Sequence, residues 1–145
     1  MNILVFNCGS SSLNYKVFQT QPEKGLQVLC SGKAHRVGVK GDEPAFIEHH
    51  LDGQTEKTTT PIPDHRTAAR LALDFLQTRN VAIDIVGHRF VHGGSSFQAS
   101  TRLTLPVLEQ IRELLPLAPI HNPNSLSVIE VCRERLPGLP QYLTF

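Results

Sequence analysis

Residues 3–18 read ILVFNCGSSSLNYKVF. An apolar run ends at Asn7, the small polar stretch NCGSSS occupies residues 7–12, and from Leu13 onward apolar and polar residues alternate. The first run reads as a short buried strand over 2–6. The second reads as a strand over 13–19, with Leu13, Tyr15 and Val17 on one face and Asn14, Lys16 and Phe18 on the other. Two strands joined by a short turn make a hairpin. A turn needs only one or two residues with special backbone freedom, so three serines in a row suggest a further task. Consecutive backbone N–H groups in a Gly-Ser turn can form an anion-binding concavity, and serine hydroxyls add donors. No G-K-[ST] follows, and the next residues repeat at period two, so a phosphate site here lies in a hairpin turn and not at a helix N-terminus. An ordinary polar hairpin turn is the competing reading of this stretch.

Outward from the hairpin, Gln21–Gly25 is a second turn and 26–37 a third strand. Two weaker strands, 45–51 and 54–60, flank the Asp52-Gly53 turn signal. A helix then opens at Asp64, a favourable N-cap, with Ala68, Leu71, Ala72, Phe75 and Leu76 on one face and Asn80 closing it. A strand over 82–91 runs into His92-Gly93-Gly94. A short helix over 106–115 is stopped by Pro116 and Pro119. The last helix opens at Asn122-Pro123, an N-cap followed by proline at the first helical position. Leu126, Ile129, Cys132 and Leu136 line one of its faces, Gly138 and Pro140 end it, and 141–145 begin another strand. Strands that are first antiparallel and then alternate with helices predict an α/β layer fold with a mixed sheet.

Composition narrows the function classes. The chain has 145 residues, 40% hydrophobic and 19% charged, which suits one soluble globular domain. Lys and Arg number 14 against 13 Asp and Glu, a formal charge of +1 that argues against a nucleic-acid arm or a polybasic membrane patch. The apolar runs are shorter than a membrane span and no basic segment precedes them, so neither a signal peptide nor a membrane anchor is expected. Cys8, Cys30 and Cys132 are an odd number without metal-ligand spacing and fit free thiols in a reducing cytoplasm.

Two further stretches carry candidate chemistry. Residues 85–94 read IVGHRFVHGG. On a strand Arg89 and Val91 share a face, and a guanidinium beside a small apolar side chain suits a short carboxylic acid. A strand-end Arg paired with a surface acid is the alternative. Residues 117–125 read LAPIHNPNS. His121 directly precedes the expected helix start, where orphan N–H groups favour anions, so it could donate to a phosphate or a developing negative charge. The alternative is a histidine bonded within a proline-rich turn.

Taken together, the three stretches resemble the acetate kinase family. Its members open with a strand, N-[CA]-G-S-S-S and a second strand, and continue with G-H-R-x-V-H-G-G and L-A-P-[LI]-H-N-P. Those motifs match residues 3–18, Gly87–Gly94 and Leu117–Pro123 here, and the final PQYLTF is similar to the strand that precedes the family's D-T-A-F-H. The resemblance implies the ribonuclease-H-like fold shared with actin, hexokinase and heat-shock chaperones, with 1–145 as an N-terminal domain and the C-terminal nucleotide-binding domain absent. It implies reversible transfer of the ATP γ-phosphoryl group to acetate, with Mg²⁺, in a cytoplasmic homo-oligomer without nucleic-acid or membrane partners.

On matching positions, Arg89 and His121 are implied as catalytic residues, Arg89 and Val91 as the acetate site, Ser10, Ser12 and Asn14 as phosphate contacts, and Asn7 as the residue near the metal. Asn14 stands where the family usually has a lysine, and Ser95 where it has a glutamate. The family's catalytic aspartate would follow Phe145. The chain alone is therefore expected to be inactive, and the other readings are a non-catalytic phosphate- or carboxylate-binding fragment and a kinase for propionate or butyrate.

Overall fold

The computed structural model describes residues 1–89, 100–113 and 121–144, with His121 and Asn122 described by backbone alone. Five strands come first: β1 (Asn2–Cys8), β2 (Ser12–Gln21), β3 (Gly25–His35), β4 (Phe46–Leu51) and β5 (Gln54–Thr59). Helix α1 (His65–Thr78) follows, then β6 (Ile85–Arg89), β7 (Thr101–Arg102), α2 (Leu105–Glu113), α3 (His121–Arg135) and β8 (Gln141–Thr144). The strands form one sheet in the order β5-β4-β3-β2-β1-β6-β8-β7. β1 to β5 are successive antiparallel neighbours, β6 lies parallel to both β1 and β8, and β7 pairs antiparallel with β8.

The alternation in the sequence becomes two sheet faces. Leu4, Phe6, Cys8, Leu13, Tyr15, Val17, Cys30, Ala34, Ile47, Val86 and Leu143 are buried on one of them. α1 and α3 pack on that face and against each other, through Ala68, Ala69, Ala72, Leu76, Val128, Val131 and Cys132. α2 closes a second cluster in which Leu108 and Ile111 meet Leu126, Ile129 and Leu143. Burying each large apolar side chain contributes about 1.5–3 kcal/mol, so this face holds the fold together. None of the three described helices packs on the opposite face, where Val5, Asn7, Asn14, Lys16, Phe18 and Arg89 stand.

Local signals set the α1 boundaries. The Asp64 carboxylate accepts from the Thr67 backbone N–H at 2.8 Å, which caps the helix, and those hydrogen bonds hold its pKa below the usual carboxylate value. Asn80 stops it in the left-handed region, at φ 57°.

Elsewhere the structure departs from the sequence pattern. β6 starts at Ile85 and not near 82, because residues 82–84 are tied to the start of β1. The Asn2 N–H donates to Asp84 Oδ2, and Asn2 Nδ2 donates to the Ala82 carbonyl, each at 2.7 Å. α3 is already helical at His121, so Asn122 lies inside it and is not its N-cap. β7 has no counterpart in the expectations, since two residues leave no periodicity to read.

Candidate carboxylate and phosphate site

The carboxyl ends of β1, β6 and β8 come together, the region where parallel strands present ligand sites. Register makes the alignment explicit. Asn14 of β2 lies opposite Asn7 of β1, Asn7 opposite Arg89 of β6, and Arg89 opposite Thr144 of β8. Four polar side chains thus form one row across four strands, on the face against which no described helix packs. They line a cavity of about 400 Å³ together with Lys16, Val5 and Phe18.

Arg89 and Lys16 are both exposed cations, and among the described residues the cavity lining holds no carboxylate. Lys33, also exposed, extends the row opposite Asn14. The nearest acid along the row is Glu48, one strand further out, and it faces His35 at 3.4 Å and His50 at 4.0 Å. The resulting field favours anions. A guanidinium at one end, carboxamide donors beside it and an apolar wall from Val5 and Phe18 suit a small carboxylate. A larger cavity, about 450 Å³ between the 36–45 and 59–63 segments, brings together none of the sequence-predicted site residues.

The NCGSSS turn sits above this row, at the end of β1. Gly9 N–H donates to the Ser12 carbonyl at 2.9 Å, which closes the turn. A Cβ on Gly9 would come within 2.4 Å of Ser12 Oγ, so any larger residue there would have to displace that hydroxyl. Val37 N–H donates to the Ser11 carbonyl at 3.0 Å, and His65 Nε2 lies 2.8 Å from the Gly9 carbonyl and 3.1 Å from that of Ser12. The Gly9, Ser11 and Ser12 carbonyls are therefore engaged on the protein side. The Ser10 and Ser11 N–H groups donate to no described residue.

Behind the turn, burial pushes the Cys8 thiol up to about 12, so it is no nucleophile at neutral pH. The Ser125 hydroxyl lies close enough to oppose that shift slightly. Among the described residues that hydroxyl makes no hydrogen bond.

Of the sequence-predicted residues, the structure brings Asn7, Asn14 and Arg89 to one cavity. It keeps Ser10 and Ser12 in the adjoining turn and not in the cavity lining. Val91, the His121 side chain, Ser95 and Phe145 lie outside the described residues. Thr144 and His65 belong to the constellation without having been foreseen. The first required the β6–β8 register, and the second a contact spanning 53 to 56 residues.

Donor chemistry limits what the site holds. Among the described residues no group of three or more His, Cys, Asp or Glu is placed to hold a metal ion. The cavity itself offers neutral oxygens such as Asn7 Oδ1, whereas Mg²⁺ in proteins is usually held by one or two carboxylates together with substrate phosphates. This donor set does not make a resident Mg²⁺ site.

Residues 2–145 match the model of the acetokinase family. Acetate kinase of Halothermothrix orenii is 41% identical over 153 residues, covering 100% of this chain and 37% of that protein. Among solved structures, acetate kinase from Entamoeba histolytica superposes with a TM-score of 0.85 at 47% identity, over 99% of this chain and 34% of the other. A propionate kinase from Francisella tularensis superposes at 0.84 with 29% identity, over 99% and 36%. The chain thus spans little more than a third of the relatives it matches. The mixed sheet with its helices is the ribonuclease-H-like fold expected from the motifs. The chain belongs to the acetokinase family.

Proposed function

We propose that residues 1–145 form the N-terminal domain of an acetate kinase and bind the acceptor carboxylate together with the transferring phosphoryl group. One observation carries this reading: the Asn14–Asn7–Arg89–Thr144 row, cationic and without a carboxylate among its described residues, beside a turn whose Ser10 and Ser11 N–H groups donate to no described residue.

The reaction is a reversible transfer of the ATP γ-phosphoryl group to acetate. A carboxylate oxygen forms a bond to the γ-phosphorus, the bond to the bridging oxygen breaks, and ADP leaves. Acetate is already ionised at neutral pH, so the nucleophile needs no strong base. Its obstacle is repulsion from the phosphates. The Arg89 guanidinium neutralises and orients the carboxylate, while Asn14, Ser10, Ser12 and the turn N–H groups offer donors to phosphate oxygens. Asn7 faces the phosphates of a nucleotide that arrives as its Mg²⁺ complex, the metal belonging to the substrate. Val91 as a wall of the acyl pocket and His121 as a catalytic donor complete the proposal.

Three buried free thiols accord with a reducing cytoplasm, and no described helix is long and apolar enough to cross a membrane. Leu26 and Val28, 60% and 54% exposed on β3, support self-association. A single monomer species in sedimentation velocity at high concentration would refute that part.

The functional test replaces the matching segment of the Halothermothrix orenii acetate kinase by this chain and traps acyl phosphate as the hydroxamate. Acetyl hydroxamate should form and be lost with Arg89→Ala. Turnover that survives Arg89→Ala, or a folded chimera without turnover, overturns the reading. The propionate kinase similarity makes propionate the second substrate arm. One extra methylene alters discrimination by only about 1–3 kcal/mol, so the arms are compared by kcat/KM.

A further inference from the structure

His65 reaches the turn carbonyls from a distant element. It occupies the first position of α1, next to the Asp64 cap, and is buried along with Ala68, Ala69 and Ala72 of the same helix. Its Nε2 meets two carbonyl oxygens, at 2.8 Å from Gly9 and 3.1 Å from Ser12. Carbonyls only accept, so Nε2 carries the proton and donates to both, which fixes the tautomer.

The consequences follow from which turn groups are occupied. The Gly9 and Ser12 carbonyls are drawn toward α1, and the Ser11 carbonyl is drawn toward Val37. With those oxygens turned inward, the Ser10 and Ser11 N–H groups are the donors left to face an incoming anion. Without His65 the Ser12 carbonyl keeps the Gly9 N–H, but nothing else described holds the Gly9 oxygen.

We propose that His65 is the positioning residue of the anion turn, fixing the Ser10 and Ser11 N–H groups toward a phosphoryl oxygen. This rests on the phosphate reading of the turn. His65 touches no substrate and acts through the backbone geometry it imposes.

The test uses the ¹⁵N-labelled 145-residue chain with inorganic phosphate as the probe, comparing the parent, His65→Gln and His65→Phe. Glutamine keeps an N–H donor at similar reach, and phenylalanine keeps ring bulk without a donor. In the parent, phosphate should shift the Ser10 and Ser11 amide resonances, and the Gly9 amide should be protected from hydrogen exchange. His65→Phe should lose Gly9 protection and bind phosphate about tenfold more weakly, while His65→Gln retains most of both.

Amides at the Cys30–Leu51 end of the β3–β4 ladder, five residues along β3 from the His35 that pairs with Ser12, should stay protected in all three and so report an intact fold. Unchanged Gly9 protection and phosphate affinity in a folded His65→Phe chain overturns the proposal. Equal losses in Gln and Phe also overturn it, because bulk and not the donor would then be at issue. A parent that shows no phosphate shift at Ser10 and Ser11 removes the anion reading itself, and the proposed role falls with it, even where His65→Phe loosens the turn.

Discussion

Acidification should destabilise this fold through two buried histidines. His49 on β4 is 4% exposed, its ring lies flat against Phe75 with centroids 3.9 Å apart, and its Nδ1 is 2.6 Å from the Tyr15 hydroxyl. His88 on β6 is 2% exposed, stacks on Phe6, and donates from Nε2 to Gln141 Oε1. Burial is the main cause that lowers each imidazole from 6.5 to about 4. For His49, Glu56 opposes the shift while His50 and Arg79 add to it; for His88, the Gln141 bond opposes it.

Above pH 6.5 both rings are neutral folded and unfolded, and neither contributes to pH dependence. Between pH 6.5 and 4 the unfolded chain binds protons that the native state refuses, so stability falls as pH falls. At about 1.4 kcal/mol per pH unit, the 2.5-unit window costs about 3–4 kcal/mol per histidine, on the order of 7 kcal/mol together. That is a large fraction of the roughly 5–15 kcal/mol that ordinary domains possess. Urea unfolding followed by far-UV circular dichroism at pH 7.5, 6, 5 and 4.5 measures the slope. It should approach two protons, and His49→Gln or His88→Gln should each remove about one. A midpoint that stays constant from pH 7.5 to 4.5 would refute the reasoning.

Two substitutions probe the packing that supports the site. Gly32 lies opposite Tyr15, and a Cβ there would come within 2.3 Å of Tyr15 Cε1 and 2.7 Å of the Glu48 carbonyl oxygen. Gly32→Ala should therefore push Tyr15 off His49 and cost about 3 kcal/mol, lowering Tm by about 10 °C. A calorimetric decrease below about 3 °C would contradict that geometry. Asp64→Ala removes the α1 cap and should cost about 1 kcal/mol, with Asp64→Asn retaining most of it. Equal urea midpoints for the parent and the alanine variant would deny the cap its role.

What could be read in advance was local. Alternation from Leu13 to Phe18 gives the two faces of β2 correctly, because a strand repeats every two residues whatever it pairs with. Asp64 and Asn80 bound α1 because caps act within one turn of chain. α3 was underestimated for the opposite reason. It packs against α1, α2 and the sheet, so Ser125, Val128 and Val131 are buried beyond the single stripe of Leu126, Ile129 and Cys132.

The same divide runs through the site. Periodicity directs Asn14 and Lys16 away from the core. Only the non-sequential order β2-β1-β6-β8, however, brings Asn14, Asn7, Arg89 and Thr144 into one row. His65 gave no local sign of its bond to Gly9, since that bond is created by the docking of α1.

The most direct test of the carboxylate clamp is an acetate titration of this chain, read on the side-chain resonances of Arg89, Asn7 and Asn14. Saturable shifts of all three, abolished by Arg89→Ala while the backbone spectrum of β3 and β4 stays unchanged, are the predicted result. Acetate shifts that persist in Arg89→Ala, or that fall on residues away from the Asn14–Asn7–Arg89–Thr144 row, would contradict the account.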